Sequence, residues 1–250
     1  MVREFTNIQE ASKAAVKIII DIARSAAVSQ GFCSIVLAGG STPRQTYELL
    51  GEPRNAEQMP WQTSHFFWGD ERWVASTHQE SNYSMADKSF LSKVHIPEMN
   101  IHRISTGYEN PSIGAAGYEK LLREFFISGG RMETDGMPDG NTFPSFDLIL
   151  LGMGADGHTA SLFPGSALLE EKQKWVVSVP TGIGSPPVAR ITLTLPVINQ
   201  AKNILFLISG RRKRQILDTM LARPAEAERL FPAARIKPAG SLVWLVAEQD

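Results

Sequence analysis

The 250-residue chain is 43% apolar and 20% charged, a balance that excludes a disordered or fibrous protein and a length that allows a sizeable buried core. Its formal net charge of −1 gives no general attraction to nucleic acid or acidic lipid, so any anion must be held by a local arrangement. The single cysteine, Cys33, excludes an internal disulfide framework and fits a reducing compartment, as a small buried hydrophobe at the head of a strand.

From the N-terminus, Ile8, Ala11, Ala15, Ile18, Ile19, Ile22 and Ala26 recur at helical spacing with Lys13, Lys17, Asp21 and Arg24 between them, which predicts an amphipathic helix. This stretch lacks the basic region, apolar block and small-residue cleavage site of a secretory leader. No stretch approaches the roughly 18 apolar residues of a membrane span. We therefore expect a cytoplasmic protein with no membrane partner.

Runs rich in β-branched and aromatic residues follow at 34–38, 64–68, 146–151, 175–179, 190–195, 203–208 and 241–246. Several are apolar throughout, as strands covered on both faces are. Helical patterns lie between them in "PRQTYELL", "SMADKSFLSKV", "SIGAAGYEKLLREFF" and "RKRQILDTMLA". This alternation predicts an α/β fold with a mostly parallel central sheet flanked by helices. We find no internal repeat and take residues 1–250 as one domain. Periodicity stops at 127–145, read either as a solvated loop or as a rim over a site, and 181–190 is a second flexible stretch.

Four segments carry candidate chemistry. In "SIVLAGGSTPRQTYELL" a buried strand runs through Gly39, Gly40, Ser41 and Thr42 into a helix, with Thr42 as N-cap, Pro43 at the first helical position and Gln45 completing a capping box. Free N–H groups at such a helix start can seat a phosphate or carboxylate, although the turn also stands as structure alone. The GxxxxGK[ST] spacing is missing, which removes the main support for nucleoside triphosphate binding.

Gly152-Met153-Gly154-Ala155-Asp156-Gly157 matches GxGxxG after a strand. The rest of a dinucleotide fingerprint is absent: Pro164 and Gly165 interrupt the following segment, and Glu170 and Glu171 precede the next strand instead of ending it. What remains is Asp156 and His158 on a glycine-rich turn, either a capping Asp with a structural His or a general base near neutral pH.

Asp70, Glu71 and Arg72 directly follow a strand, with "ESNYS" soon after, so this segment is either a turn or a polar substrate-orienting edge. Arg211, Arg212, Lys213 and Arg214 occupy the first turn of a helix, where cations oppose the dipole and an anionic partner for at least one of them is favoured. No nucleic-acid module accompanies them.

The segments "LAGGSTPRQTYELL", "WGDERWVASTHQESNY", "FDLILLGMGADGHTASLFPGS", "RITLTLPVINQAKNILFLISGRRK" and "FPAARIKPAGSLVWL" occur in this order over about residues 34 to 245. In them the chain resembles the 6-phosphogluconolactonase family of the sugar-phosphate isomerase and deaminase-like superfamily. The resemblance implies a Rossmann-like fold of the isomerase/deaminase type. It also implies hydrolysis of 6-phospho-D-glucono-1,5-lactone to 6-phosphogluconate in the oxidative pentose phosphate pathway, with no metal and no organic cofactor. Carried over by motif, His158 is similar to the general base, Asp156 to the residue that positions it, and Arg72 to the arginine facing substrate. Asp70 and Asn82 match further site positions, and Gly40, Ser41, Thr42, Arg190 and Lys213 match the phosphate anchor. The partner implied is a small sugar-phosphate lactone, with no nucleic acid, and we expect a monomer.

Two alternatives stand beside this. In a glucosamine-6-phosphate deaminase the motif looks like "GIGxDGHIAFNEPGS", and Phe163 stands here where its glutamate would be. A non-catalytic sugar-phosphate sensor would need a DNA-binding module, and only one helix precedes the first expected strand.

Overall fold

The computed structural model describes residues 1–130 and 142–249. Ten strands are present among them: β1 (Val2–Asn7), β2 (Cys33–Leu37), β3 (Ser64–Trp68), β4 (Asp70–Arg72), β5 (Ile101–His102), β6 (Leu148–Leu151), β7 (Val176–Val179), β8 (Arg190–Leu193), β9 (Asn203–Ser209) and β10 (Ser241–Gln249). The α-helices are α1 (Ile8–Gln30), α2 (Ser41–Leu50), α3 (Pro53–Ala56), α4 (Asn82–Ser89), α5 (Pro111–Arg123), α6 (Leu195–Asn199), α7 (Arg211–Ala222) and α8 (Pro224–Leu230).

Seven strands form one sheet in the order β1-β10-β9-β6-β2-β3-β5, and every pairing in it is parallel. Both β2 and β6 are buried along their whole length, which is why their sequences are apolar without alternation. The chain leaves β2 outward through β3 to β5, then returns to β6 on the other side of β2 and continues outward to β9 and β10. The connections on either side of the β2–β6 pair thus diverge, and open α/β sheets bind their ligands beyond the carboxyl ends of strands at such a reversal.

The runs at 175–179 and 190–195 do not join the parallel sheet. Strands β7 and β8 form a separate three-stranded antiparallel sheet with β4, in the order β4-β8-β7. Its register sets Asp70 opposite Thr192 and Arg72 opposite Arg190.

The N-terminal helix is α1 as expected, capped by the Asn7 side chain, which accepts the Glu10 N–H, and closed by Gly31 in the left-handed region. It packs across β1, β2, β9 and β10. The sequence reading missed β1. Only Val2, Phe5 and Asn7 of that edge strand are even partly covered, so it lacks an apolar run. Of the expected helix over 84–94, α4 ends at Ser89 and a 3-10 turn follows at Leu91–Lys93, separated by the extended φ of Phe90. Cys33 is buried and unpaired. Most of the 127–145 loop expectation falls on 131–141, outside the described residues.

Candidate active site

Helix α2 begins two residues earlier than the capping-box pattern predicts. Its N-cap is Gly40, at φ 106°, and no side chain caps it. Glycine alone enters this region freely, so the chain turns sharply off β2 and the helix starts at Ser41. Thr42 and Gln45 form no capping box. The Ser41 and Thr42 N–H groups, in the first turn, have no intrahelical partner, and Pro43 has no N–H to add. Helix α7 repeats the device with Gly210 as N-cap, at φ 91° and again without a side-chain cap.

Both helix starts reach one cavity of about 180 Å³ beyond the carboxyl ends of β2, β6 and β9. Of the residues picked from the sequence, Gly40, Ser41, Thr42, Asp70, Arg72, His158, Arg190 and Lys213 line it. Asp156 and Asn82 stand behind that wall and touch residues in it. Of the basic run on α7, only Lys213 lines the cavity. Arg214 pairs with Glu4 at 2.6 Å and Asp218 at 2.8 Å, and Arg212 donates to the Ala155 carbonyl at 2.7 Å.

The turn after β6 holds His158 in place. The Gly154 N–H donates to the His158 carbonyl at 2.9 Å and the Gly157 N–H to the Gly154 carbonyl at 3.0 Å. Asp156 Oδ1 accepts the His158 N–H at 3.1 Å and lies 2.5 Å from His158 Nδ1. A carboxylate only accepts, so the proton of this pair sits on Nδ1, and in the neutral imidazole the lone pair is on Nε2. Burial pushes the Asp156 carboxyl up, but the His158 N–H and the imidazole beside it outweigh that and hold it below the usual carboxylate range. Phe163, 5% exposed, packs its ring against the imidazole with centroids 4.6 Å apart.

The small sheet supplies the cations. Arg72 and Arg190 are directly opposed cross-strand partners, a placement in which like charges destabilise each other. Burial lowers the Arg190 guanidinium pKa, the Asp70 carboxylate opposes that shift, and Arg72 reinforces it. Arg72 Nη1 donates to the Glu80 carbonyl at 2.8 Å, and Arg190 Nη2 donates to the Ser185 and Pro186 carbonyls at 2.9 and 3.1 Å. The Nε atoms of both arginines are buried without a hydrogen-bond partner. The 181–190 stretch is therefore folded onto the site, with Ser185 in the cavity wall.

Sequence reasoning named Glu71 only as part of a polar edge and did not assign Ser161. Glu71, 2% exposed, accepts the N–H groups of Arg72, Asn82 and Tyr83 and the Ser81 hydroxyl at 2.7 to 3.0 Å. Burial pushes its carboxyl up against the pull of those N–H donors. Ser161 donates to Asp70 Oδ2 at 2.5 Å. The signal for Glu71 was the period-2 alternation of "DER", which turns it away from the face shared by Asp70 and Arg72. Ser161 had no local signal, because its partner is 91 residues away.

Among the described residues no cluster of three or more His, Cys, Asp or Glu side chains is placed to hold a metal ion, and no helix is long and apolar enough to cross a membrane. A 6-phosphogluconolactonase from Nostoc sp. is 40% identical over 217 residues, covering 87% of this chain and 82% of that protein. The solved 6-phosphogluconolactonase from Trypanosoma brucei superposes with a TM-score of 0.81 at 31% identity over 99% of this chain and 95% of its own. A monomeric glucosamine-6-phosphate deaminase of the NagB superfamily shares the fold, with a TM-score of 0.77 at 21% identity over 98% and 96% of the two chains. Residues 6–244 match the family described as glucosamine-6-phosphate isomerases/6-phosphogluconolactonase, and the chain belongs to that family.

Proposed function

We propose that the protein hydrolyses 6-phospho-D-glucono-1,5-lactone, with His158 as general base. The observation that carries this reading is the joining in one cavity of His158, oriented through Nδ1 by Asp156 at 2.5 Å, with Arg72, Arg190, Lys213 and the uncapped start of α2. The opposed arginines and the free N–H groups favour a bound anion, and the substrate's phosphate supplies one. Gly40, Ser41, Thr42, Arg190 and Lys213 serve as its anchor.

Held by that anchor, the lactone carbonyl faces His158. Nε2 takes a proton from water as the water oxygen bonds to C1, and the carbonyl electrons move to its oxygen. Arg72 stabilises that oxyanion. The intermediate collapses with cleavage of the bond between C1 and the ring oxygen, which receives the proton from the imidazolium. Asp156 stabilises the imidazolium between these transfers. A base of this kind contributes about 10² to 10⁴-fold, sufficient for an activated lactone once its position is set.

Phe163 supports this reading over ring-opening deamination: an apolar ring, 5% exposed, lies against His158 where proton relay would require a carboxyl group. That β1 and β10, from opposite ends of the chain, are paired neighbours in one sheet supports reading the whole chain as one domain.

The test is loss of 6-phosphogluconolactone, generated in situ from glucose 6-phosphate, measured against its spontaneous hydrolysis. The wild-type protein accelerates it, His158→Ala lowers kcat far more than it changes KM, and Lys213→Ala raises KM. A wild-type rate equal to the spontaneous one overturns the reading. An unchanged kcat for His158→Ala removes the base assignment.

A further inference from the structure

Asp70 is a junction. It is 6% exposed, and both its oxygens are engaged: Oδ1 accepts from Asn82 Nδ2 at 3.1 Å, and Oδ2 accepts from the Ser161 hydroxyl at 2.5 Å, with Arg190 Nη1 4.0 Å away. Asn82 also donates to the Asp70 carbonyl at 2.9 Å. The same amide leaves no space for a side chain at Gly39, where a Cβ would stand 1.9 Å from Asn82 Oδ1. One carboxylate therefore ties together the β4 edge, the start of α4 beneath the phosphate turn, and the segment three residues beyond the base.

Ser161 is the link from this junction to the chemistry. It is 1% exposed, and its own N–H donates to Thr192 Oγ1 at 3.2 Å. Thr192 stands opposite Asp70 in the β4–β8 register, on the strand that carries Arg190. Between His158 and Ser161 the backbone passes through Ala160 at φ 47°, the one non-glycine positive φ among the described residues, a conformation that persists only where the surroundings enforce it. Two bonds from Ser161, one from its hydroxyl and one from its N–H, contribute to that enforcement, beside the Leu162 N–H donating to the Thr159 carbonyl at 2.9 Å and the Thr159 hydroxyl donating to the Gly152 carbonyl at 2.8 Å.

We propose that Ser161 is a positioning residue for the base: by donating to the buried Asp70 carboxylate it sets the loop carrying His158 against the strands carrying Arg72 and Arg190. Ser161 is not among the residues of the cavity wall. Its effect passes through Asp70, which here serves as a fixed acceptor. The inference rests on the lactonase reading for its assay.

The experiment is a double-mutant cycle on the lactonase reaction with wild type, Ser161→Ala, Asp70→Asn and the double variant, with KM, kcat and thermal midpoint measured for each. If Ser161 acts through Asp70, Ser161→Ala lowers kcat about ten- to a hundredfold, as an ångström-scale displacement of a reacting group does. KM then changes less than kcat, and the double variant is no slower than the slower single variant. Multiplicative effects in the double variant overturn the coupling, and so does a wild-type kcat in Ser161→Ala. A loss that appears in KM and kcat alike and tracks the fall in thermal midpoint overturns the positioning role in favour of simple packing. A wild-type protein without lactonase activity overturns the proposed function and this inference with it. An active wild type with an unaffected Ser161→Ala overturns this inference alone.

Discussion

Gly154→Ala probes His158, the proposed base, with a single methyl group. A Cβ at residue 154 would stand 2.2 Å from both Cε1 and Nδ1 of His158 and 2.7 Å from Asp156 Oδ1. Heavy atoms in contact settle near 3.5 Å, so the imidazole must retreat by about 1.3 Å. The His158 side chain is 30% exposed and has solvent to move into. Residue 154 is not among the glycines with positive φ, so alanine brings no backbone strain and the perturbation stays local. A displacement of about 1 Å at a reacting group costs on the order of 10²-fold in rate. We expect kcat for 6-phosphogluconolactone to fall about a hundredfold. KM should stay near the wild-type value, since the start of α2, Arg190 and Lys213 are untouched. The assay is initial-rate lactone loss corrected for spontaneous hydrolysis, alongside a melting curve. A kcat within about threefold of wild type would refute both the packing argument and the placement of the base.

Asp156→Asn should lower kcat by about 10² or more, because an amide can donate to Nδ1 and turn the imidazole to the wrong tautomer. It also has a pH signature. The folded Asp156 carboxyl is held below its ordinary value, so its contribution to stability is complete above about pH 4 and lost as the pH falls through the lower folded value. The wild-type melting temperature should therefore decline more steeply than that of the Asn variant in that acid window, and parallel curves would refute the linkage. Glu71→Gln turns an amide NH2 toward some of the donors that Glu71 now accepts. We expect a loss of about 1 to 3 kcal/mol in urea unfolding, and an unchanged unfolding midpoint would show that those bonds do not depend on the carboxylate.

The sequence carried the loop of His158 further than the turn after β2. The placement of Asp156 and His158 on a turn at the end of β6 was legible because β6 is buried on both faces and the glycines that follow can only be a tight exit. The start of α2 was misjudged by two residues. Local capping chemistry favours Thr42, but the packing of the β2 exit brings Gly40 to φ 106° and starts the helix at Ser41. That difference matters chemically, since a side-chain cap would have occupied an N–H group that the uncapped helix leaves free for an anion. The edge strand β1 was invisible because it has no buried face along its length. The runs at 175–179 and 190–195 were legible as strands but not as members of a separate antiparallel sheet, since apolar content reports burial and says nothing of which neighbour provides it.

By itself the sequence determined the kinds of element, the amphipathic first helix, the buried parallel strands and the residue types needed for a base and an anion seat. Each of these is a local matter of spacing, backbone freedom or side-chain chemistry. Only the tertiary structure decided that Arg72 faces Arg190 across a two-strand register, that both atoms of the Asp70 carboxylate are occupied, and that Lys213 alone of four adjacent cations reaches the cavity. These depend on groups far apart in the chain, as with Asp70 and Ser161, which are 91 residues apart. A charge or hydrogen bond acquires its strength from the burial and partners it finds in the fold, and neither is written at its own position in the chain.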